Sequence, residues 1–168
     1  MDLASLWNLL NGNAFVAQAT AILYGYGLFG LFLVCFFSAS LFPFPSEPVI
    51  VLAVAAKFDL AAIFIVVLAS STIAAYVNYW IGLHGLHPLL MKKEEKEEHE
   101  AEKWIRRWGA PILVASPWIP FIGDLFPVAA GALKMSWQKF LFWIIVARTV
   151  KTAGVIAFAL GLFKLIGW

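Results

Sequence analysis

Charge is scarce in this chain: only 13% of its 168 residues are Asp, Glu, Lys or Arg, against about 25% in ordinary soluble domains. The shortfall excludes a water-solvated surface over most of the molecule. Cysteine is scarcer still. Cys35 stands alone inside an apolar run, which excludes an intrachain disulfide and a cysteine metal cluster, and it reads as a small buried or lipid-facing hydrophobe. His84, His87 and His99 share no ligand spacing with acids on one helical face, so neither a metal nor another cofactor is expected. No Ser/His pair in a Gly-x-Ser setting and no Asp-rich metal motif occurs, and an enzyme is therefore not the expectation. The start of the chain lacks the basic stretch and small-residue cleavage site of a secretory signal, so it is expected to belong to the mature protein.

Apolar side chains supply what charge does not. They make up 62% of the residues, and the mean hydropathy is +0.86. That composition identifies an all-α integral membrane protein, a single membrane domain over residues 1–168, with room for three or four spans at about 20 residues each.

Residues 2–24 mix Leu3, Leu6, Trp7, Leu10 and Phe15 with Asn8, Asn11, Asn13 and Gln18, a weakly amphipathic pattern suited to an interfacial or membrane helix. Gly25, Gly27 and Gly30 loosen the chain, and an apolar stretch from Leu28 then runs into Phe-Pro-Phe-Pro-Ser-Glu-Pro at 42–48. Pro43, Pro45 and Pro48 cannot continue a helix, because each removes a donor and restricts the residue before it. The apolar run after the break, Val49–Ala56, spans only about half of a ~30 Å hydrocarbon core. Residues 28–56 therefore read as a re-entrant hairpin. Residues 60–83 are long enough to cross. Residues 88–108 hold twelve of the twenty-two charges in the chain, with both signs at helical spacing (Lys93 with Glu97, Glu102 with Arg106), and read as a solvated helix. That helix carries six of the twelve Lys and Arg residues, which places it on the cytoplasmic side of what is expected to be a prokaryotic inner membrane. Residues 109–133, broken by Pro111, Pro117, Pro120 and Pro127, read as a second hairpin, and 137–163 as a second transmembrane helix interrupted by Arg148 and Lys151.

The two hairpins align. An offset of 77 residues superposes Pro43 on Pro120, Phe44 on Phe121, Glu47 on Asp124, Val51 on Val128, Ala53 on Ala130 and Ala55 on Ala132. Each unit is a hairpin that returns to its own side plus a helix that crosses, so the second unit starts from the opposite face and the repeats are inverted. Lys134 and Lys139 then join the cytoplasmic side, with Lys57 and Lys164 outside.

Arg148 lies 11 residues past Trp137, about 16 Å deep at helical rise, and Lys151 shares its face. A lone charge at that depth costs roughly 2.5–3.5 kcal/mol, so both cations need partners. Glu47 and Asp124 are available, and the four form an expected substrate and proton-coupling site supported by Pro43, Pro45, Ser46, Asn78, Pro120 and Gly123. The plainer alternative is that the two acids only cap short helices. Two cations beside two short-helix N-termini favour an anionic group such as a lipid phosphate. Protons are candidate coupling ions, a homo-oligomer is compatible with the pattern, and no nucleic-acid partner is expected.

The Ser-Glu-Pro after a proline-rich break, Trp-Ile-Arg-Arg-Trp-Gly at 104–109, Ser-Pro-Trp-Ile-Pro-Phe-Ile-Gly-Asp at 116–124, Ala130-Gly131 and the basic pair of the last helix together resemble the DedA family, also called SNARE-associated or VTT-domain proteins, and within it the short YqaA-like branch. Asn78 and Gly82 fit the same pattern. The chain departs from it at Ser116 and Trp118, where many relatives carry arginines, and in the order of Arg148 and Lys151. The resemblance implies two inverted re-entrant hairpins and movement of phospholipid or polyprenyl phosphate between leaflets, as a flippase or scramblase. It would give the functional acids as Glu47 and Asp124 and the basic pair as Arg148 and Lys151. Other readings are a proton-coupled exchanger of a small ion or solute and a non-transporting structural membrane protein. Phe121-Ile122-Gly123-Asp124 is similar to the Gly-x-Gly-Asp of membrane aspartyl proteases, but its first Gly is missing and no Tyr-Asp occurs.

Overall fold

A computed structural model describes residues 14–40, 46–85, 95–119 and 123–166. Residues 2–13 of the expected N-terminal helix, residues 88–94 of the charged helix, and Pro43, Pro45 and Pro120 lie outside the described residues. The described residues are helical, without a strand: α1 (Ala14–Ser38), α2 (Glu47–Ala55), α3 (Leu60–Leu83), α4 (Glu95–Trp108), two 3-10 turns (Ala110–Val114 and Ser116–Trp118), α5 (Leu125–Ala132) and α6 (Trp137–Ile166).

The sequence reading separated an N-terminal segment ending near residue 24 from a hairpin beginning at 28. The two meet inside α1 at a kink, Gly27 (φ 57°, ψ −133°), which parts one helix from the next. Only glycine takes that conformation without strain, so one residue is enough to separate the two helical arms of α1. The fold-back is tight: a Cβ on Gly30 would collide with the carbonyl of Ile22.

α3 and α6 are long and apolar enough to cross a membrane, at 24 and 30 residues. Ile65, Ile73 and Tyr76 on α3, with Phe142, Val150 and Phe158 on α6, remain exposed. Such outward apolar faces suit lipid rather than water. By contrast α2 and α5 have 9 and 8 residues, about 12–14 Å of helix, far short of a span.

The core is split in two. One cluster joins Leu31 and Val34 of α1, Val49 and Ile50 of α2, Ile63 and Val67 of α3, and Ile156 and Ala159 of α6. The other joins Ala75 and Tyr79 of α3, Ala101 and Ile105 of α4, Phe126 and Ala129 of α5, and Phe140 and Ile144 of α6. α3 meets the first cluster and then the second, whereas α6 meets them in the reverse order, so the two long helices run antiparallel. Beside the second cluster Trp80, Trp104, Trp108 and Trp137 stay exposed, the arrangement of an interfacial aromatic belt.

The 77-residue offset reappears in the backbone. α2 closes with Ala56 N–H donating to Leu52 O, Lys57 N–H to Val54 O and Phe58 N–H to Ala53 O. α5 closes with Leu133 N–H to Ala129 O, Lys134 N–H to Gly131 O and Met135 N–H to Ala130 O. Lys57 and Lys134 both take left-handed φ, at 59° and 53°, as the residue after a helix does in this closure. The long helices then open alike, with Ile63 N–H donating to Asp59 O and Phe140 N–H to Ser136 O.

Candidate functional site

Between the two clusters lies a cavity of about 500 Å³ into which Glu47, Asp124, Arg148 and Lys151 all face. Their positions follow from local structure. Glu47 occupies the first turn of α2, where Pro48 tolerates the missing backbone donor and Ser46 O accepts the N–H groups of Val49 and Ile50. Asp124 sits at the N-cap of α5, held there by a tight approach loop: Gly123 N–H donates to Ile119 O at 2.9 Å, and a Cβ on Gly123 would strike the carbonyls of Ser116 and Ile119. Arg148 and Lys151 share a face of α6 near the middle of its length.

The four form two pairs of different character. Lys151 Nζ lies 2.7 Å from Glu47 Oε1, with the two side chains 22% and 41% exposed. Arg148 Nη2 lies 3.4 Å from Asp124 Oδ1, with the two side chains 7% and 36% exposed, so the cations differ in burial more than the acids do. The guanidinium is underserved: its Nε is buried without a hydrogen-bond partner among the described residues. A buried cation with one long contact and one idle donor is poorly compensated, and it is ready to accept an anionic ligand with which a fork geometry fits well.

At Asp124, the N-cap of α5, a capping bond is not made. Its side chain turns to Arg148 instead. A capping aspartate does exist elsewhere: Asp59 Oδ2 accepts from Ala62 N–H at 2.8 Å at the start of α3.

Of the expected supporting residues, Ser46 and Gly123 line the cavity, and Pro43, Pro45 and Pro120 are outside the described residues. Asn78 is fully buried but is not part of the lining; its amide donates to Ala39 O at 3.4 Å and holds the end of the first arm against α3. Ser71, Ser116, Trp118 and Cys35, none of them expected in the site, line the cavity as well. Ser71 and Ser116 bond back to Val67 O and Leu113 O, each at 2.7 Å, so they present polar atoms without an unmet backbone demand. The self-overlay could have found Ser71, since it stands 77 residues before Arg148. No group of His, Cys, Asp and Glu among the described residues could hold a metal ion.

The cavity is braced from the side of α4 and α5. A Cβ on Gly82 would strike Val128 O, and one on Gly131 would strike Tyr79 O, so α3 and α5 meet backbone to backbone. Tyr79 stacks on Phe140 at 4.5 Å between ring centroids, and Trp104 of α4 meets Phe126 edge-on at 6.1 Å.

The profile of the VTT domain matches residues 44–160, which takes in both short helices, both long ones and all four charged residues. Inner membrane protein YqaA of Escherichia coli is 28% identical over 131 residues, 77% of this chain and 89% of that protein. An uncharacterized protein of Methanocaldococcus jannaschii is 21% identical over 132 residues, 78% of this chain and 82% of its own. Undecaprenyl phosphate transporter A of Bacillus subtilis is 30% identical over 82 residues, 45% of this chain and 41% of that transporter. No solved structure matches the chain.

Proposed function

The chain belongs to the VTT-domain family of membrane proteins, and from that premise we propose that it moves a phosphate-bearing lipid between membrane leaflets through the cavity that holds Glu47, Asp124, Arg148 and Lys151. One observation carries the reading: Arg148 is buried, faces the cavity and is incompletely paired. A phosphate in the cavity would supply the acceptors that Asp124 does not, while the acyl or polyprenyl chains stay in lipid. The name of the Bacillus subtilis relative supports a lipid phosphate as cargo.

In this reading α1 beyond Gly27 with α2, and the 3-10 segment with α5, are two re-entrant hairpins. Each is followed by a spanning helix, and the antiparallel course of α3 and α6 supports an inverted relation between the units. The charged α4, with Lys96, Lys103, Arg106 and Arg107, lies on the cytoplasmic side. When phosphate takes Arg148 and Lys151, Asp124 and Glu47 lose their counter-charges and accept protons from the wet cavity. Release reverses the exchange, which couples lipid movement to protons. No group here is asked to act as a nucleophile or general base on a bond.

The test is translocation in proteoliposomes with two fluorescent cargoes, a phospholipid and a polyprenyl phosphate. At least one is expected to cross faster with protein than without, and Arg148→Met is expected to slow it by about a hundredfold, as removal of a buried charge partner does. Equal rates with and without protein for both cargoes would sink the proposal.

A further inference from the structure

One large side chain in the cavity wall takes no part in the ion pairs. Trp118 ends the second 3-10 turn, lines the cavity, and is nevertheless 58% exposed. Among the described residues its indole N–H has no hydrogen bond. One edge of the ring reaches α6: Cη2 lies 3.6 Å from the point where a Cβ on Gly154 would stand. Gly154 follows Lys151 by three residues and is its neighbour on the helix surface. Glycine inside a helix is unfavourable by about 1 kcal/mol relative to alanine. Here it leaves a shallow seat for an aromatic ring beside the Lys151 end of the cavity. On the α1 wall of the same cavity is Cys35, 2% exposed and the one cysteine of the chain.

We infer that Trp118 is the door of the cavity: resting on Gly154, the indole closes the side between the 3-10 segment and α6 and sets how bulky a group can reach Arg148 and Lys151. The polar floor of the cavity selects for charge, whereas the door selects for size. An indole suits that task, since its broad apolar face can lie against lipid while its edge seals a polar interior. Opening needs rotation of one side chain, and no hydrogen bond to another described residue has to break.

Cys35 gives a readout that involves no lipid. The purified full chain in detergent is treated with N-ethylmaleimide, and modification of Cys35 is timed by mass spectrometry. In the wild type the reaction is slow, because the thiol is reached only when the cavity opens. Trp118→Ala removes the door and is expected to speed modification by about tenfold. Gly154→Val fills the seat, pushes the indole off, and is expected to do the same. Trp118→Phe keeps a flat ring over Gly154 and is expected to stay within about twofold of the wild type. A wild-type rate in either Trp118→Ala or Gly154→Val, with the thermal unfolding midpoint retained, overturns the assignment, as does a rate in Trp118→Phe equal to that of Trp118→Ala. If Trp118→Ala does not fold, Gly154→Val decides alone by the same two outcomes. The consequence for transport, passage of a bulkier headgroup in Trp118→Ala, rests on the function proposed above; the labelling does not, so the door and the transport reading can fail separately.

Discussion

Laid over each other at the 77-residue offset, the α2–α3 and α5–α6 units close their short helices on equivalent carbonyls, start their long helices at Leu60 and Trp137, and bury Ile63 and Val67 where the other buries Phe140 and Ile144. Their charges do not follow that equivalence. Each unit has its acid, Glu47 or Asp124, but where α6 carries Arg148 and Lys151, α3 carries Ser71 and Ala74. Two units with like helix closures thus flank the cavity, and unequal side chains make its chemistry one-sided. Both acids must find their counter-charge on α6, Asp124 within its own unit and Glu47 across to the other. Any displacement of α6 therefore acts on both pairs together, which a cation on each long helix would not achieve.

The sharpest way to break this comparison is to neutralise the two equivalent acids separately. Asp124→Asn leaves the guanidinium of Arg148 buried and unpaired, and is expected to lower stability by about 3 kcal/mol, read as a drop in the thermal unfolding midpoint in detergent. Removing the cation with the acid, in Asp124→Asn/Arg148→Met, is expected to restore most of that loss, because an apolar replacement of a buried pair is often neutral. If the double variant is as unstable as the single one, Asp124 holds the fold by some means other than its partner.

The seams between the units differ as well, and the next largest effect tests that. α3 meets α5 through Gly82 and Gly131, whereas the equivalent contact of α6 with α2 has Ala159 and Val54 in those places. A methyl group at Gly131 has no room beside the Tyr79 carbonyl, so Gly131→Ala is expected to cost about 2 kcal/mol through overpacking. The bulkier seam between α2 and α6 already holds side chains at that spacing. An unchanged unfolding midpoint in Gly131→Ala would show that the α3–α5 contact gives way easily and is no fixed brace.

Much of this was legible in the sequence, for physical reasons that also set the limit. The long apolar helices declare themselves because a membrane demands about 20 uninterrupted apolar residues. The charged residues declare themselves because a cation in an apolar helix is costly and therefore needs a use. Gly27 was visible as a loosening of the chain, and the two arms of α1 meet there because its backbone conformation is open to glycine alone. Ser71 was passed over because a serine bonded to its own helix is indistinguishable in sequence from scaffold. Trp118 stood out only as a departure at a position where many relatives carry arginine, and its contact with Gly154 is what ties it to the cavity wall.

Glu47→Gln is expected to be milder than its counterpart at Asp124. The Glu47 side chain is 41% exposed and Lys151 is 22% exposed, so the pair is solvated enough to be worth about 1 kcal/mol or less. Its loss should appear in translocation far more than in the unfolding midpoint. A stability loss as large as that of Asp124→Asn would mean that the two pairs are equally enclosed and that the asymmetry described above is wrong.

The smallest expected effect comes from making the Asp→Asn change at the aspartate that does cap a helix. Asp59 stands outside the cavity, exposed, and its Oδ2 accepts the Ala62 N–H. Asparagine offers a carbonyl oxygen at the same reach and ranks with aspartate at N-caps, so Asp59→Asn should change stability by roughly a few tenths of a kcal/mol and leave translocation unchanged, while Asp59→Ala should cost about 1 kcal/mol. One chemical change at two helix starts then separates two uses of a carboxylate. At Asp59 only the oxygen matters, because the partner is a neutral amide; at Asp124 the charge matters, because the partner is a buried cation. If Asp124→Asn proves as mild as Asp59→Asn, the carboxylate beside Arg148 is only a cap in a different pose, and the cavity does not depend on the opposed charges from which its function has been inferred.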